Sequence, residues 1–493
     1  MAQFTQADLV YQGAFKVPAG NPGGGGQAGA YAYPQGPIEY NPANNSLYYV
    51  GHTYDQRVAE IAIPVVVNST TLADLNTATI IQHLVDPLEG QRDEVNPTHG
   101  TNQIGGMLIY GGELHITAYT YYDAGYSAVK SHFKRPLNLS TTGEVVGAVR
   151  VNGDLNPGFV DGYMCQVPAA HQAAIGKPAL TGNNSLSIIH RTSWGPAAFG
   201  FDPAAVGVTE PVPVTNLVYY DQFHTTLGTT AQTDPVWNAT TLIKGILFPA
   251  GYESVLFFGK HGIGPYCYGD GTVCNDPSDG SQGTHAYPYV HQVWSYDVAD
   301  LAAVKAGTKN PWEPLPTVWT FDLPFQTSSR KLGSCAYDSA NNLVYLVQMS
   351  AAGNGYPLIH VFEVAGTPPT PAATITRSLA TVRAGATNTV TWADIGTPAV
   401  GDLVGLFTAG ASNDAPIEWF YLDNTKVEPG APVGAAGNFA FTIPRRTRSG
   451  TYEFRLATKI ETDDGLGNIT TSNSLMATSA SFTVQGKKVS ARV

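Results

Sequence analysis

Short runs of alternating apolar and polar residues, cut by Gly, Pro, Asn and Asp, fill most of the chain. A period of two predicts strands with one buried face, and the breakers are the residues that turns require. The clearest stretch is Ile38–His52, IEYNPANNSLYYVGH. It predicts a strand, a turn on Asn44-Asn45-Ser46, a second strand at Leu47–Val50, and a polar loop opening at Gly51-His52. A near copy returns at Ala336–Gln348, AYDSANNLVYLVQ. A hairpin repeated at both ends of a long region marks a repeat architecture.

A strand followed by a Gly/Pro-rich loop recurs as well, at Leu9–Val17, Thr79–Asp86, Glu144–Val151, Val214–Asp221 and Thr317–Leu323. Hairpins centre on Leu47–Val50, Leu114–Tyr119, Leu186–His190, Ser254–Phe258 and Leu343–Val347. Third strands follow at Val58–Ile63, Ser131–Leu139, Ala198–Phe201, His291–Val298 and Leu358–Val364. Five units of four short strands predict an all-β chain with a five-bladed β-propeller over residues 1–365. The lone strand Leu9–Val17 is expected to complete the last blade, which leaves no open edge. Six blades, with strands hidden in the 262–290 insertion, and a two-sheet sandwich are the alternatives.

Residues 366–371, GTPPTP, read as a stiff linker. Residues 372–485 predict an immunoglobulin-like β-sandwich of about seven strands, without the cysteine pair of antibody domains. Trp392 and Tyr452 are expected in its core. Alternation places Tyr452, Phe454 and Leu456 on one face, and Thr451, Glu453 and Arg455 on the other. Residues 486–493 form a tail.

Composition narrows the class. Charged residues make up 13% of the 493, about half the usual share, while Gly and Tyr are abundant. That mix suits an extracellular or virion-like β protein. The net charge is −12 and Lys/Arg form no cluster in sequence, which argues against binding nucleic acid. No apolar run is long enough to span a membrane. The opening MAQFTQADLVYQGAF has neither basic nor apolar leader character, which fits a protein released by lysis; a removed leader is the alternative. Cys267 and Cys274 close CYGDGTVC and are expected to pair in an oxidising setting, whereas Cys165 and Cys335 lie in apolar patterns as free thiols.

In the propeller register the long loops converge on one face, where function on a rigid scaffold is expected. Its aromatic residues include Tyr54, Tyr121, Tyr122, Trp194, Tyr266, Tyr268, Tyr287 and Tyr289, suited to stacking on sugar rings or to a protein interface. His52, His190 and His261 follow the hairpins and are candidate binding residues, with a shared metal as one reading and backbone hydrogen bonds as the other. Asp270, Asp276 and Asp279 offer clustered oxygens for calcium. Glu94 and Asp161 are the candidate acid and base if the chain is a glycoside hydrolase.

QADLVYQGAFKVPAG, EYNPANNSLYYVGH and VAEIAIP together resemble uncharacterised β-propeller proteins encoded in tailed-phage genomes and prophages, over roughly the first 70 residues. The resemblance implies a virion-associated tail or head-fibre component; the aromatic loop face would then meet a cell-surface glycan or another virion protein of the assembly. The alternative is a secreted glycan-active hydrolase with an accessory sandwich.

Overall fold

The computed structural model describes residues 2–22, 30–34, 36–100, 102–152, 155–183, 192–229, 234–365, 373–393, 395, 398–411, 416–434, 436–463 and 469–485. The expected linker at 366–371 and tail at 486–493 lie outside them. The chain divides into two compact units, Met1–Pro368 and Pro369–Val493.

The first unit begins with β1 (Leu9–Lys16) and continues through five four-stranded antiparallel sheets. Sheet I holds β2 (Ile38–Asn41), β3 (Ser46–Val50), β4 (Val58–Ala62) and β5 (Thr79–Val85). Sheet II holds β6 (Asn102–Tyr110), β7 (Glu113–Thr120), β8 (His132–Pro136) and β9 (Val146–Val149). Sheet III holds β10 (Met164–Gln166), β11 (Ala179–Thr181), β12 (Ala198–Phe201) and β13 (Val214–Val218). Sheet IV starts with β14 (Leu242–Leu247) and β15 (Ser254–Gly262). A separate hairpin, β16 (Cys267–Gly269) and β17 (Gly283–His285), then precedes its outer strands β18 (Tyr289–Asp297) and β19 (Thr317–Phe321). Sheet V holds β20 (Leu332–Asp338), β21 (Leu343–Gln348) and β22 (Leu358–Val364), and its fourth strand is β1. Leu9 lies opposite Val364 and Lys16 opposite Leu358.

Five apolar clusters hold these sheets together, each shared by two consecutive sheets. Val50 and Val58 of sheet I meet Ile104 and Ile116 of sheet II. Leu108 of sheet II meets Phe199 and Phe201 of sheet III. Leu180 and Leu217 meet Phe257 and Trp294 of sheet IV, and Leu256 and Phe258 meet Leu346 and Phe362 of sheet V. The last cluster joins Val347 and Ile359 of sheet V back to Leu47 and Tyr49 of sheet I. The first strands β2, β6, β10, β14 and β20 touch in the same closed order. Every sheet therefore buries both faces against neighbours, and the first strands surround the middle.

The two Asn-Asn hairpins lie side by side in sheets I and V, where Tyr40 stacks on Tyr345 at 5.7 Å. Asn45 and Asn342 take left-handed backbone angles (φ 47° and 55°), which Asn tolerates better than most residues. Buried Glu60 of β4 ties the first hairpin down, accepting from Asn41, Asn44, Ser46 and Gln82.

Three expectations change. The second strand of the third unit is Ala179–Thr181, and Leu186–His190 lies outside the described residues. The β10–β11 connection is filled by α1 (Ala169–Ile175), which displaces the expected register. Within 262–290 the described residues add only the β16–β17 hairpin, not a sixth four-stranded sheet. The end opposite the long loops holds, besides hairpin turns, α1 and α2 (Val298–Lys305), joined by Lys305 Nζ donating to the Ala173 carbonyl at 2.6 Å.

In the second unit, β23 (Thr374–Arg377), β25 (Thr387–Ala393) and β28 (Gly437–Thr442) form one sheet. A six-stranded sheet contains β24 (Thr381–Arg383), β26 (Asp402–Thr408), β27 (Glu418–Tyr421), β29 (Gly450–Asp463), β30 (Ile469–Thr478) and β31 (Phe482–Gln485). Both sheets supply one core, where Trp392 and Phe441 meet Tyr452, Phe454 and Leu456. Arg455 lies with Glu453 on the opposite face, as the alternation expects, but is buried there, with its guanidinium 4.5 Å from the Phe407 ring and bonded to Glu453.

Candidate functional site at the loop end of the first unit

In an antiparallel four-stranded sheet, the connection from second to third strand and the exit to the next sheet leave at the same end. Contacts across sheets confirm the convergence. Thr53 N donates to the Tyr33 carbonyl (3.1 Å), Gln103 Nε2 to Thr53 Oγ1 (3.4 Å), and the Tyr126 hydroxyl to Gln222 Oε1 (3.0 Å). This end displays rings to solvent. Tyr54 is 79% exposed, Tyr268 63%, Tyr122 55% and Tyr121 48%. Tyr33, Tyr126 and Phe223 are exposed beside them. Tyr33 and Phe223 were not among the sequence candidates; their positions in the connections that enter β2 and leave β13 would have pointed to them.

Other candidate rings are not surface groups. Trp194 is buried, donating its indole N–H to the Gly228 carbonyl at 3.1 Å and packing beside Trp237. Tyr289 is buried, its hydroxyl donating to Asp276 Oδ2 at 2.6 Å. Tyr266 and Tyr287 are half-buried, and Tyr266 packs on the core between sheets III and IV. The histidines do not converge either. His52 Nδ1 accepts from Tyr54 N, and its ring packs between Tyr33 and Tyr54. His261 is buried between Thr241 Oγ1 and the Asp234 carbonyl, and burial holds it down to about 4. His190 lies outside the described residues.

A charged group occupies the middle of the cycle at this same end. The β14–β15 pairing has an irregularity between Ile243 and Gly245, and the extra residue there is Lys244. Bulges re-aim a side chain in this way. Lys244 Nζ lies 5.5 Å from the ring centroid of Tyr119, on sheet II. Sheets II and IV are not neighbours, so this contact spans the middle. Tyr119 OH donates to Gln103 Oε1 at 2.7 Å. Buried Asp161 is the nearby carboxylate, acting electrostatically on Lys244, Tyr119 and Tyr163. Its loop reaches this position because Gly105 and Gly106 leave room: a Cβ on Gly105 would fall 1.9 Å from the Asp161 carbonyl oxygen. Burial, with Lys331 adding to it against the pull of Asp161, brings Lys244 down to about 7. Lys260 of β15 lies 4.1 Å over the Tyr289 ring, and burial and Lys331 bring it down to about 8. Lys331, just before β20, pairs with Asp279 at 3.4 Å. These lysines escaped the sequence reading because they are dispersed along the chain.

Asp276 anchors the inserted hairpin. It accepts from Tyr289 OH, from Ser278 N and Oγ, and from His285 Nδ1 at 2.9 Å. Enclosure opposes its ionisation, but these bonds hold it well below the usual carboxylate range. Asp270 accepts from Val273 N, and Asp279 from Ser281 and Lys331. The three candidate calcium ligands thus each serve a separate turn, and no group of three or more metal-ligating side chains occurs among the described residues. Cys267 and Cys274 are disulfide-bonded, while Cys165 and Cys335 are free. Glu94 is exposed on the 3-10 turn Gln91–Val95, apart from the neighbours that surround Asp161. No helix among the described residues is long and apolar enough to cross a membrane.

No family model matches the chain, and no curated protein matches it. One solved structure, a structural genomics protein of unknown function from Bacteroides thetaiotaomicron, is similar at 11% identity and a TM-score of 0.32. It covers 72% of this chain and 76% of its own.

Proposed function

We propose that the chain is a virion-associated attachment protein whose first unit is a five-bladed β-propeller and whose second is an immunoglobulin-like sandwich. The propeller reading rests on the cyclic sharing of five clusters and on β1 completing sheet V. In this reading the loop end binds a cell-surface glycan, or a partner subunit of the virion. The observation that carries it is the set of exposed rings at that end, Tyr54, Tyr121, Tyr122 and Tyr268, beside polar loop groups. An exposed ring covers the C–H face of a sugar, and neighbouring polar groups bond its hydroxyls. The virion assignment rests on the opening sequence motifs. A glycoside hydrolase needs two carboxylates facing one bond; exposed Glu94 and buried Asp161 have dissimilar surroundings, which favours binding over hydrolysis. The test is a glycan array probed with the intact protein and with Tyr121→Ala/Tyr122→Ala. Binding that the double variant loses, with an unchanged unfolding midpoint, is expected. Array binding that the variant retains in full would overturn the assignment of these rings.

A further inference from the structure

The exposed rings explain affinity for a sugar face but give no preference among glycans. The lysines at the middle of the loop end do. Lys244 comes from the bulge in β14, Lys260 from the end of β15, and Lys331 from the residue before β20. Lys331 acts electrostatically on both others, so the three ammonium groups share one region. Among the described residues, the carboxylates acting on them are Asp161, Asp279 and Asp276. Asp276 is already committed to His285, which it raises toward its charged form, and to Tyr289 and Ser278. Asp279 pairs with Lys331 at 3.4 Å. Lys260 has no carboxylate within ion-pair distance among the described residues; its near contact is the ring face of Tyr289. The chain as a whole carries a net charge of −12, so cations gathered in one region run against its overall charge. Like charges placed together and partly removed from water repel one another and carry a desolvation cost, which an arriving anion relieves.

We infer that Lys244, Lys260 and Lys331 form a receptor for the anionic group of a glycan chain, so that the loop end selects acidic over neutral polymers. This rests on the glycan-binding reading above. The shared chemistry is an oxyanion on a sugar or polyol backbone, either a uronate carboxylate or a backbone phosphodiester. Lysine suits both, because an ammonium acts as a point charge with rotatable donors and does not demand a planar partner. The tyrosines around the mouth would then hold the rest of the chain.

The experiment measures calorimetric affinity of the full chain for three probes: a galacturonic-acid oligomer, its carboxyl-reduced form, and poly(glycerol phosphate). Lys260→Met and Lys331→Met are compared with the parent, with near-ultraviolet circular dichroism verifying their fold; buried Lys244 is left intact. One anionic probe is expected to bind at least about tenfold more tightly than the neutral oligomer, with each variant losing about tenfold for that probe alone. Affinity is also expected to fall as salt is added and as pH rises from 6.5 to 9, where Lys244 and Lys260 lose their protons. Whether the uronate or the phosphate polymer shows this behaviour identifies the source of the anion. Equal binding of neutral and acidic oligomers, or full retention by both folded variants, overturns the inference and leaves the tyrosine face as a neutral-glycan site. Failure of all three probes on a folded parent overturns the inference, and a blank glycan array would show that the underlying reading had failed with it.

Discussion

Buried histidines should make the first unit lose stability in mild acid, and the second unit provides the control. All 12 histidines precede Pro369. Five of the buried ones, His115, His132, His261, His291 and His360, have their protonation opposed by that burial. Burial holds His115 and His261 at about 4, and His132, His291 and His360 at about 3, against 6.5 when free. A depressed histidine contributes stability that is present above its unfolded pKa and lost as pH falls toward the folded one. Between pH 7.5 and 5.5 each group therefore loses about 1.4 kcal/mol, roughly 7 kcal/mol for the five. Glu39 opposes this. Enclosure raises its carboxyl from 4.5 to about 8, so the folded state takes up a proton as pH falls and gains roughly 2.5 kcal/mol. His285, raised by its bond to Asp276, also opposes the loss, since a raised histidine gains stability as pH falls. The net loss is about 4 kcal/mol, a large fraction of a typical 5–15 kcal/mol.

Urea unfolding followed at pH 7.5, 6.5 and 5.5 reads this directly, with calorimetry separating the two units. The midpoint of the first unit should fall steeply, and that of the histidine-free sandwich should stay nearly fixed. His291→Phe isolates one proton. Neither ring nitrogen of His291 meets hydrogen-bond geometry with a partner, and the ring lies 5.4 Å from that of Phe321. The variant should lose about 1.4 kcal/mol less than the parent over the same window. A flat profile for the first unit, an equal shift in the sandwich, or an unchanged slope in His291→Phe would refute the reasoning.

Three further outcomes follow from the packing. Arg135 is buried and donates to the carbonyls of Pro87, Pro136, Asn138, Leu139 and Thr141, so Arg135→Met should destabilise the first unit by roughly 3–5 kcal/mol in urea titration. Removing the disulfide with Cys267→Ser/Cys274→Ser frees a short loop worth roughly 2–3 kcal/mol locally; limited proteolysis should cut within 263–288 while the five sheets resist. Deleting residues 2–16 strips β1 from β22 and opens the edge of sheet V, so the product should sediment as larger aggregates than the parent does.

The sheets were legible in sequence because most of their strands carry a repeating apolar face between turn residues. The lone first strand betrayed closure, since a strand without a hairpin partner needs an edge elsewhere. Sheet III was less legible for a physical reason. Its β10 and β11 are three residues each, too short for alternation to register, and a helix separates them. Residue type alone could not sort the loop aromatics. Tyr121 and Trp194 look alike in sequence, yet one is exposed and the other buried, because burial depends on which distant group arrives. For Trp194 that group is the Gly228 carbonyl, 34 positions away.

The lysine cluster did leave a local trace. In a chain with few charges, a charged residue inside an apolar strand is an anomaly, and Glu60, Arg135 and Lys244 all qualify. What separates scaffold from candidate site is satisfaction. Glu60 is saturated by four side-chain donors, and Arg135 by five carbonyls. Those arrangements are closed, and further ligands would have to break them. The lysine region is different in kind: like charges are brought together from two sheets, and Lys260 rests on a ring face without a carboxylate in ion-pair reach. A charge left against an aromatic face keeps much of its attraction for an incoming anion. The same anomaly in sequence therefore marks a closed scaffold at Glu60 and Arg135, and at the lysines it marks the region we propose as a receptor; only the fold distinguishes the two.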